Sequence, residues 1–280
     1  MAALDIFYEF HYCMTVWKLR IQYRRTKDKR GNTMKDLSGK TAIVTGGAQG
    51  IGKATAEYLS LHGAYVFLAD VKKKEAEEAC EEIRGQGCEV KAMEVDVSSV
   101  DSVEKMVGTV LNERSSIDIL VNNAGIFSNT PIHDMTMKGW ERVININLTG
   151  THICSQAVIK HMIPRRSGKI VNLSSMAMQN GGQRAGADYA ASKGGIAALT
   201  KSYAMYAAKY NITVNAVAPG HILTAMTAAW TTLEGAGDII PMKRVGVPED
   251  VAKVIYFLCS PLSDYVTGQT ISINGGMILV

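Results

Sequence analysis

The chain has no CxxC pair, no apolar run long enough to span a membrane and, beyond its first 33 residues, no excess of charge of either sign. Each absence removes a class of protein. Five scattered cysteines (Cys13, Cys80, Cys88, Cys154, Cys259) without paired spacing argue against a disulfide framework or a zinc site. They suit reduced thiols in a cytoplasmic compartment. Apolar runs well short of the ~18 residues that cross a bilayer leave no integral membrane segment. The formal net charge of +4 sits entirely in residues 1–33, where seven Lys or Arg face three Asp or Glu, leaving 23 residues of each sign in the rest. A neutral body gives no support to nucleic acid as the principal ligand. His133, His152, His161 and His221 show no metal-ligand spacing, so no metal is expected. No internal repeat or low-complexity segment is visible, and 280 residues suit one large domain with a sizeable core.

From Lys40 onward, short apolar runs alternate with longer helical patterns. The runs TAIVTG (41–46), AYVFLAD (64–70), CEVKAMEVD (88–96), IDILVNNAG (117–125), GKIVNLSS (168–175), ITVNAVAPG (212–220) and GQTISINGG (268–276) read as seven strands. Helices are expected at about 51–62, 72–84, 99–113, 136–162, 188–210 and 249–259. Apolar strands separated by helices of this length imply parallel pairing through right-handed crossovers, with both sheet faces covered. The expected fold class is therefore α/β, a single Rossmann-type doubly wound sheet over residues 34–280. Ligands of such sheets bind at the carboxyl ends of the strands. Gly46, Asp70, Asp96, Asn123, Ser174, Ser175 and Pro219–Gly220 all fall there, from six different strands.

The stretch TGGAQGIGKAT (45–55) turns a strand into a helix through closely spaced glycines, which let a pyrophosphate approach the helix N-terminus. Gly46, Gly50 and Gly52 give a GxxxGxG spacing. A P-loop competes, since Gly47, Gly52 and Lys53 fit GxxxxGK, but Ala54 stands where that motif needs a hydroxyl for magnesium. Asp70 ends the next strand, where an acid can bind both adenosine ribose hydroxyls. Dinucleotide binding is the reading the pair supports. Farther on, YAASK places Tyr189 and Lys193 one helical turn apart on one face.

With TGGAQGIG, DV (96–97), NNAG (122–125), YAASK (189–193) and NAVAPG (215–220) in this order, the chain resembles the short-chain dehydrogenase/reductase family over about residues 36–280. The resemblance implies that Tyr189 is the general acid/base. A free phenol titrates near ~10, and Lys193 with the oxidised nicotinamide would lower that value. Ser175, with Ser174 as its neighbour, would orient the substrate oxygen. Asn147 resembles the residue that holds a water linking the lysine to solvent, with Asn145 as its rival. The implied cofactor contacts are Gly46, Gly50, Ile51, Gly52, Asp70, Asp96, Val97, Asn123, Ala124, Gly125, Tyr189, Lys193, Pro219, Gly220, Ile222 and Thr224. Asn123 could equally satisfy backbone at a strand end. The family usually has thirteen residues from serine to tyrosine; Ser175 to Tyr189 is fourteen, so QNGGQRAGA (179–187) carries an insertion. Arg184 and Asp188 beside it are substrate contacts or solvated loop charges.

The function expected from this resemblance is hydride transfer between a secondary alcohol and a ketone, with NAD preferred because Asp70 repels a 2′-phosphate. Lys72–Lys73–Lys74 leaves NADP open. The alternative is a 3-oxoacyl-[acyl-carrier-protein] reductase using NADPH. Arg166 could be one of its carrier contacts, although Tyr210 stands where that reductase usually has arginine. A non-catalytic nucleotide sensor would be expected to have lost Tyr189 or Lys193. The family also implies a homotetramer or homodimer built on the helices at 136–162 and 188–210, and a substrate lid over 221–243 with Trp230 as its anchor. Residues 1–33 read as a dispensable extension, a membrane or partner anchor, or a targeting segment.

Overall fold

Seven short strands are rich in buried Val and Ile, because β-branched side chains pack well on a pleated surface covered on both sides. The computed structural model describes residues 35–182, 184–231 and 235–279. The expectations for residues 1–33 and for the Trp230 side chain fall outside what is described. The strands are β1 (Thr41–Thr45), β2 (Tyr65–Asp70), β3 (Val90–Glu94), β4 (Ile119–Asn122), β5 (Gly168–Leu173), β6 (Ile212–Pro219) and β7 (Thr270–Ile273). They form one sheet in the order β3-β2-β1-β4-β5-β6-β7, every neighbouring pair parallel. Strand order reverses between β1 and β4, which opens a crevice at their carboxyl ends.

The helices are α1 (Gly50–Leu61), α2 (Lys73–Arg84), α3 (Val100–Arg114), α4 (Met137–Ile144), α5 (Gly150–Arg165), α6 (Ala177–Asn180), α7 (Ala187–Ala207), α8 (Ala228–Thr231) and α9 (Pro248–Cys259). On one sheet face, Leu59 of α1, Ile83 of α2 and Ile255 and Leu258 of α9 pack over Val44, Val66 and Leu68. On the other, Met106 and Val107 of α3 and Val158 and Met162 of α5 cover Ile43, Phe67 and Ile170. Each such side chain, fully buried, contributes roughly 1.5–3 kcal/mol of transfer free energy.

Local signals set the helix ends. Ser99 caps α3 by accepting from the Ser102 N–H, and Thr136 caps α4 by accepting from the Gly139 N–H at 3.1 Å. Asp250 lies in the first turn of α9, where its carboxylate accepts the Val247 N–H at 2.9 Å. The single helix expected over 136–162 is α4 and α5 joined by a π-helical turn, Asn145–Thr149. It ends at Arg165, just past Pro164, with Arg166 in the left-handed region at φ 48°.

Candidate active site

The glycine-rich turn is shaped by contacts that leave no room for side chains. A Cβ on Gly46 would lie 2.8 Å from Ala124 Cα, and one on Gly52 would collide with the Gly46 carbonyl oxygen. Gly50 takes a positive φ of 54°. Its open side faces Thr224, whose Cγ2 is 3.4 Å from where a Cβ would stand. Such a bare backbone at the start of α1 is the cradle a pyrophosphate needs. Lys53 does not serve it: its Nζ donates to Glu82 of α2 at 2.6 Å, which removes the P-loop alternative. Ile51 continues α1 and packs against the core on the α1 face.

Asn123 resolves one open reading. Its side-chain amide donates to the Thr45 and Gly46 carbonyls at 3.0 and 2.8 Å, so it holds the glycine turn against the end of β4. Thr45, which sequence reasoning missed, completes this clamp by accepting the Asn123 and Ala124 N–H groups, each at 3.1 Å. At the end of β2, Asp70 accepts the Ala48 N–H at 3.1 Å and the Lys72 N–H at 3.0 Å. Asp96 is exposed and bonded to Ser98, while Val97 beside it is buried against Gly150.

Farther along the same edge, the two serines after β5 have different fates. The Ser174 hydroxyl donates to the Lys193 carbonyl at 2.8 Å and is buried. The Ser175 hydroxyl faces the Tyr189 hydroxyl and counteracts the rise that burial imposes on the phenol pKa. Lys193 lies one turn beyond Tyr189, its Nζ 5.6 Å from the Tyr189 ring centre and donating to the Leu173 carbonyl at 2.7 Å. Burial brings the lysine pKa down to about 8. The longer Ser175–Tyr189 segment folds away as α6 and two left-handed glycines, Gly181 and Gly182, and is tied down where the Gly186 N–H meets the Ser128 carbonyl at 2.7 Å.

Asn147 lies in the π-helical turn, fully buried, whereas Asn145 is exposed. Its amide oxygen accepts the Ile126 N–H at 2.9 Å, and its nitrogen donates to the Ile126 carbonyl at 3.0 Å and to Ser192 Oγ at 3.1 Å. Ser192 in turn donates to the Tyr189 carbonyl at 2.7 Å, a link within YAASK that sequence reasoning left unassigned. Gly125 passes between Asn147 and Lys193, where a Cβ would stand 3.1 Å from the amide oxygen and 3.6 Å from the ammonium. π-turns of this kind commonly mark functional sites.

Pro219 and Gly220 close the edge from β6. The Pro219 carbonyl accepts the Met176 N–H at 3.0 Å, and Gly220 packs on Asn274. Ile222 is buried and bridges to Gly246, and Thr224 bonds to Thr227. Arg166 is the exception. It sits just before β5, at the opposite edge of the sheet from Tyr189, with its guanidinium on the Lys209 carbonyl at 2.9 Å. As a carrier contact near this chain's own site it is misplaced. Among the described residues no group of His, Cys, Asp and Glu could hold a metal ion.

Known proteins place this arrangement. The sequence model of a family described as Enoyl-(Acyl carrier protein) reductase matches residues 46–278. A 3-oxoacyl-[acyl-carrier-protein] reductase of Synechocystis sp. is 42% identical over 250 residues, covering 88% of this chain and all of that one. The 3-oxoacyl-[acyl-carrier-protein] reductase FabG of Thermotoga maritima is 42% identical over 247 residues, 87% of this chain and 99% of its own. The solved structure of a short-chain type dehydrogenase/reductase from Mycobacterium marinum matches with a TM-score of 0.83 at 34% identity, covering 88% of this chain and 98% of that one.

Proposed function

The chain belongs to the short-chain dehydrogenase/reductase family of oxidoreductases, and from that premise we propose that it interconverts a 3-oxoacyl thioester and the 3-hydroxyacyl thioester. The coarse activity, oxidoreduction at a CH–OH group with a nicotinamide cofactor, is the family's own. The acyl thioester rests on relatives that carry that name and match this chain across nearly their whole length.

The observation that carries the catalytic assignment is the pair of facing hydroxyls on Ser175 and Tyr189 above buried Lys193. Bound nicotinamide supplies or accepts the hydride. Ser175 donates a hydrogen bond to the substrate oxygen and holds it at the Tyr189 hydroxyl. Tyr189 gives its phenolic proton to that oxygen during reduction and takes it back during oxidation. Lys193, when protonated, stabilises the phenolate left behind, and its ammonium would also donate to the cofactor's ribose. Asn147 ties the loop at Ile126 beside Lys193 and would hold a water that links the lysine to solvent.

Gly46, Gly50, Ile51 and Gly52 would hold the pyrophosphate, Asp70 the adenosine ribose, Asp96 and Val97 the adenine, and Ala124, Gly125, Pro219, Gly220, Ile222 and Thr224 the nicotinamide half. Two backbone N–H groups hold the Asp70 carboxylate at the end of β2. There it would accept from ribose hydroxyls and repel a 2′-phosphate, which supports NAD over NADP. The outward faces of α5 and α7, where Met205 and Tyr206 are exposed, would join copies in a homotetramer or homodimer.

One observation favours the second reading, an NAD-linked dehydrogenase of a small secondary alcohol. Tyr210 stands where the carrier-dependent reductase usually has arginine, and Arg166 is at the far edge of the sheet. Steady-state kinetics with acetoacetyl thioesters and with simple ketones, each with NADH and NADPH, decide between them. We expect the thioester and NADH to give the highest kcat/KM. A ketone favoured over every thioester would replace the substrate assignment, and a preference for NADPH would overturn the role of Asp70.

A further inference from the structure

A chain of four buried polar side chains runs beneath the catalytic edge and takes no part in the glycine cradle or the Ser175–Tyr189 pair. Asn122 and Asn172 are register partners near the carboxyl ends of β4 and β5. The Asn122 amide donates to Asn172 Oδ1 at 2.8 Å and to Ser155 Oγ of α5 at 2.9 Å. The Asn172 amide donates to Thr200 Oγ1 of α7 at 2.9 Å, and Thr200 donates to the Ile196 carbonyl at 2.8 Å. None of the four is more than 3% exposed. Asn122 Oδ1 accepts no hydrogen bond among the described residues. A buried acceptor without a partner costs free energy that well-packed apolar residues would avoid, so stability alone does not account for the chain.

Each link borders a group that the reaction needs. Asn122 precedes Asn123, which clamps the glycine turn. Asn172 precedes Leu173, whose carbonyl accepts from Lys193 Nζ at 2.7 Å, and then Ser174, whose hydroxyl donates to the Lys193 carbonyl at 2.8 Å. Ser175 comes next. Thr200 lies two turns beyond Lys193 on the same face of α7. That face has few bulky side chains to fix the helix lengthwise. Ile196 is the one large apolar side chain among the buried residues of α7, the rest being polar, charged or alanine. A face of small residues lacks the ridges that lock a helix against its neighbour. A buried hydrogen bond is a well-attested way of setting register in their place.

We propose that Thr200 and Asn172, supported by Asn122 and Ser155, are positioning residues that set the register of α7 along β5 and so hold the Tyr189 hydroxyl level with Ser175. This rests on the reading of Tyr189 as the acid/base and is independent of the substrate's carbon skeleton. The Lys193–Leu173 tie joins helix and strand at the site itself. The Thr200–Asn172 tie lies two turns away, where it can be removed without touching a group that meets cofactor or substrate.

Thr200→Val keeps volume and branching and removes the hydroxyl, and Asn172→Leu does much the same for the amide. The full chain is assayed well below its Tm, on whichever thioester or ketone it turns over. In each single variant kcat per folded molecule should fall about tenfold to a hundredfold, the scale of a misplacement near 1 Å. The KM for the cofactor should stay near wild type. Thr200→Ser, which restores the hydroxyl, should return kcat to near wild type. The double variant Thr200→Val with Asn172→Leu separates positioning from bulk stability, with the Asn122 amide still bonded to Ser155. Replacing both partners by apolar groups of similar shape can be nearly neutral for stability, so Tm should recover most of what the single variants lose while kcat stays low. Recovery of kcat together with Tm, or wild-type kcat in every folded variant, would overturn the proposal. Should one single variant fail to fold, the other and the double variant carry the test. Should no substrate turn over, or Tyr189→Phe stay active, the acid/base reading fails by itself. The register is then read from crystal structures of the wild type and the double variant with NADH bound. A lengthwise shift of α7 against β5 that moves Tyr189 off Ser175 upholds the proposal, and an unmoved Tyr189 overturns it.

Discussion

The two edges of the sheet treat charge in opposite ways. At the amino-terminal edge, charged groups are paired. Asp118, almost fully buried before β4, accepts from Arg165 at 2.7 Å and from the Thr41 N–H at 2.9 Å, with Lys40 at 3.5 Å. Lys169 meets Asp264 at 2.7 Å, Lys91 meets Glu113, and Arg114 lies over the Tyr65 ring. At the carboxyl-terminal edge, Asp70 is held by backbone N–H groups, and Lys193 is buried against the Leu173 carbonyl with no carboxylate of the described residues bonded to it. Paired charges tie elements together. Charges left without partners raise the free energy of the empty protein unless a ligand completes them, and perturbed groups cluster at sites for that reason.

The sharpest way to separate the edges is to damage each and read both rate and stability. Tyr189→Phe should lower kcat by the ~10²–10⁴-fold worth of general acid–base catalysis while leaving Tm and NAD binding near wild type. Only the hydroxyl is removed, and the ring keeps its edge contact with Phe127 at 5.1 Å. Retention of more than a tenth of kcat would take the acid/base role from Tyr189.

At the opposite edge, Asp118→Ala should do the reverse. It strands Arg165 and the Thr41 N–H, at a cost on the order of 3 kcal/mol, with kcat per folded molecule unchanged. Burial pushes the Asp118 carboxyl pKa up, but Arg165, the Thr41 N–H and Lys40 outweigh it and hold the group below its usual value. A carboxylate with a depressed folded pKa stabilises above its unfolded pKa, and that stability is lost as pH falls through the folded value. The variant should therefore flatten the acid limb of Tm against pH. An unchanged acid limb would remove Asp118 from that limb.

Most of the frame was legible in the sequence, because seven apolar runs and their intervening helices announce a parallel sheet, and the strand ends then place Gly46, Asp70, Ser175 and Pro219 together. Boundaries moved by a few residues. The π-turn at 145–149 was not legible, since one additional residue per turn leaves the apolar pattern almost unchanged, yet that turn buries Asn147 and leaves Asn145 exposed. Ser174 and Ser175 could not be fully separated, because the choice lies in which hydroxyl meets the Lys193 carbonyl. The far-edge position of Arg166 was readable, as it immediately precedes a strand.

The mildest test joins the two edges in one residue. Lys193 is a buried charge without a carboxylate, and burial lowers its pKa from 10.5 to about 8. A group whose folded pKa is depressed stabilises above its unfolded pKa, and that stability disappears as pH falls from about 10.5 to about 8. Near pH 7 the cofactor-free protein therefore carries the full desolvation cost, about 3 kcal/mol at ~1.4 kcal/mol per pKa unit. Lys193→Met removes that cost, while losing the Leu173 hydrogen bond returns about 1 kcal/mol. The cofactor-free variant should melt about 4–8 °C above wild type at pH 7, given ~2–4 °C per kcal/mol for a domain of this size. The gap should narrow as pH rises toward 10, and again when saturating NAD gives the ammonium its partners. Turnover should fall severely throughout. A variant melting at or below wild type at pH 7, or a gap indifferent to pH, would mean that Lys193 is as well compensated as Asp118.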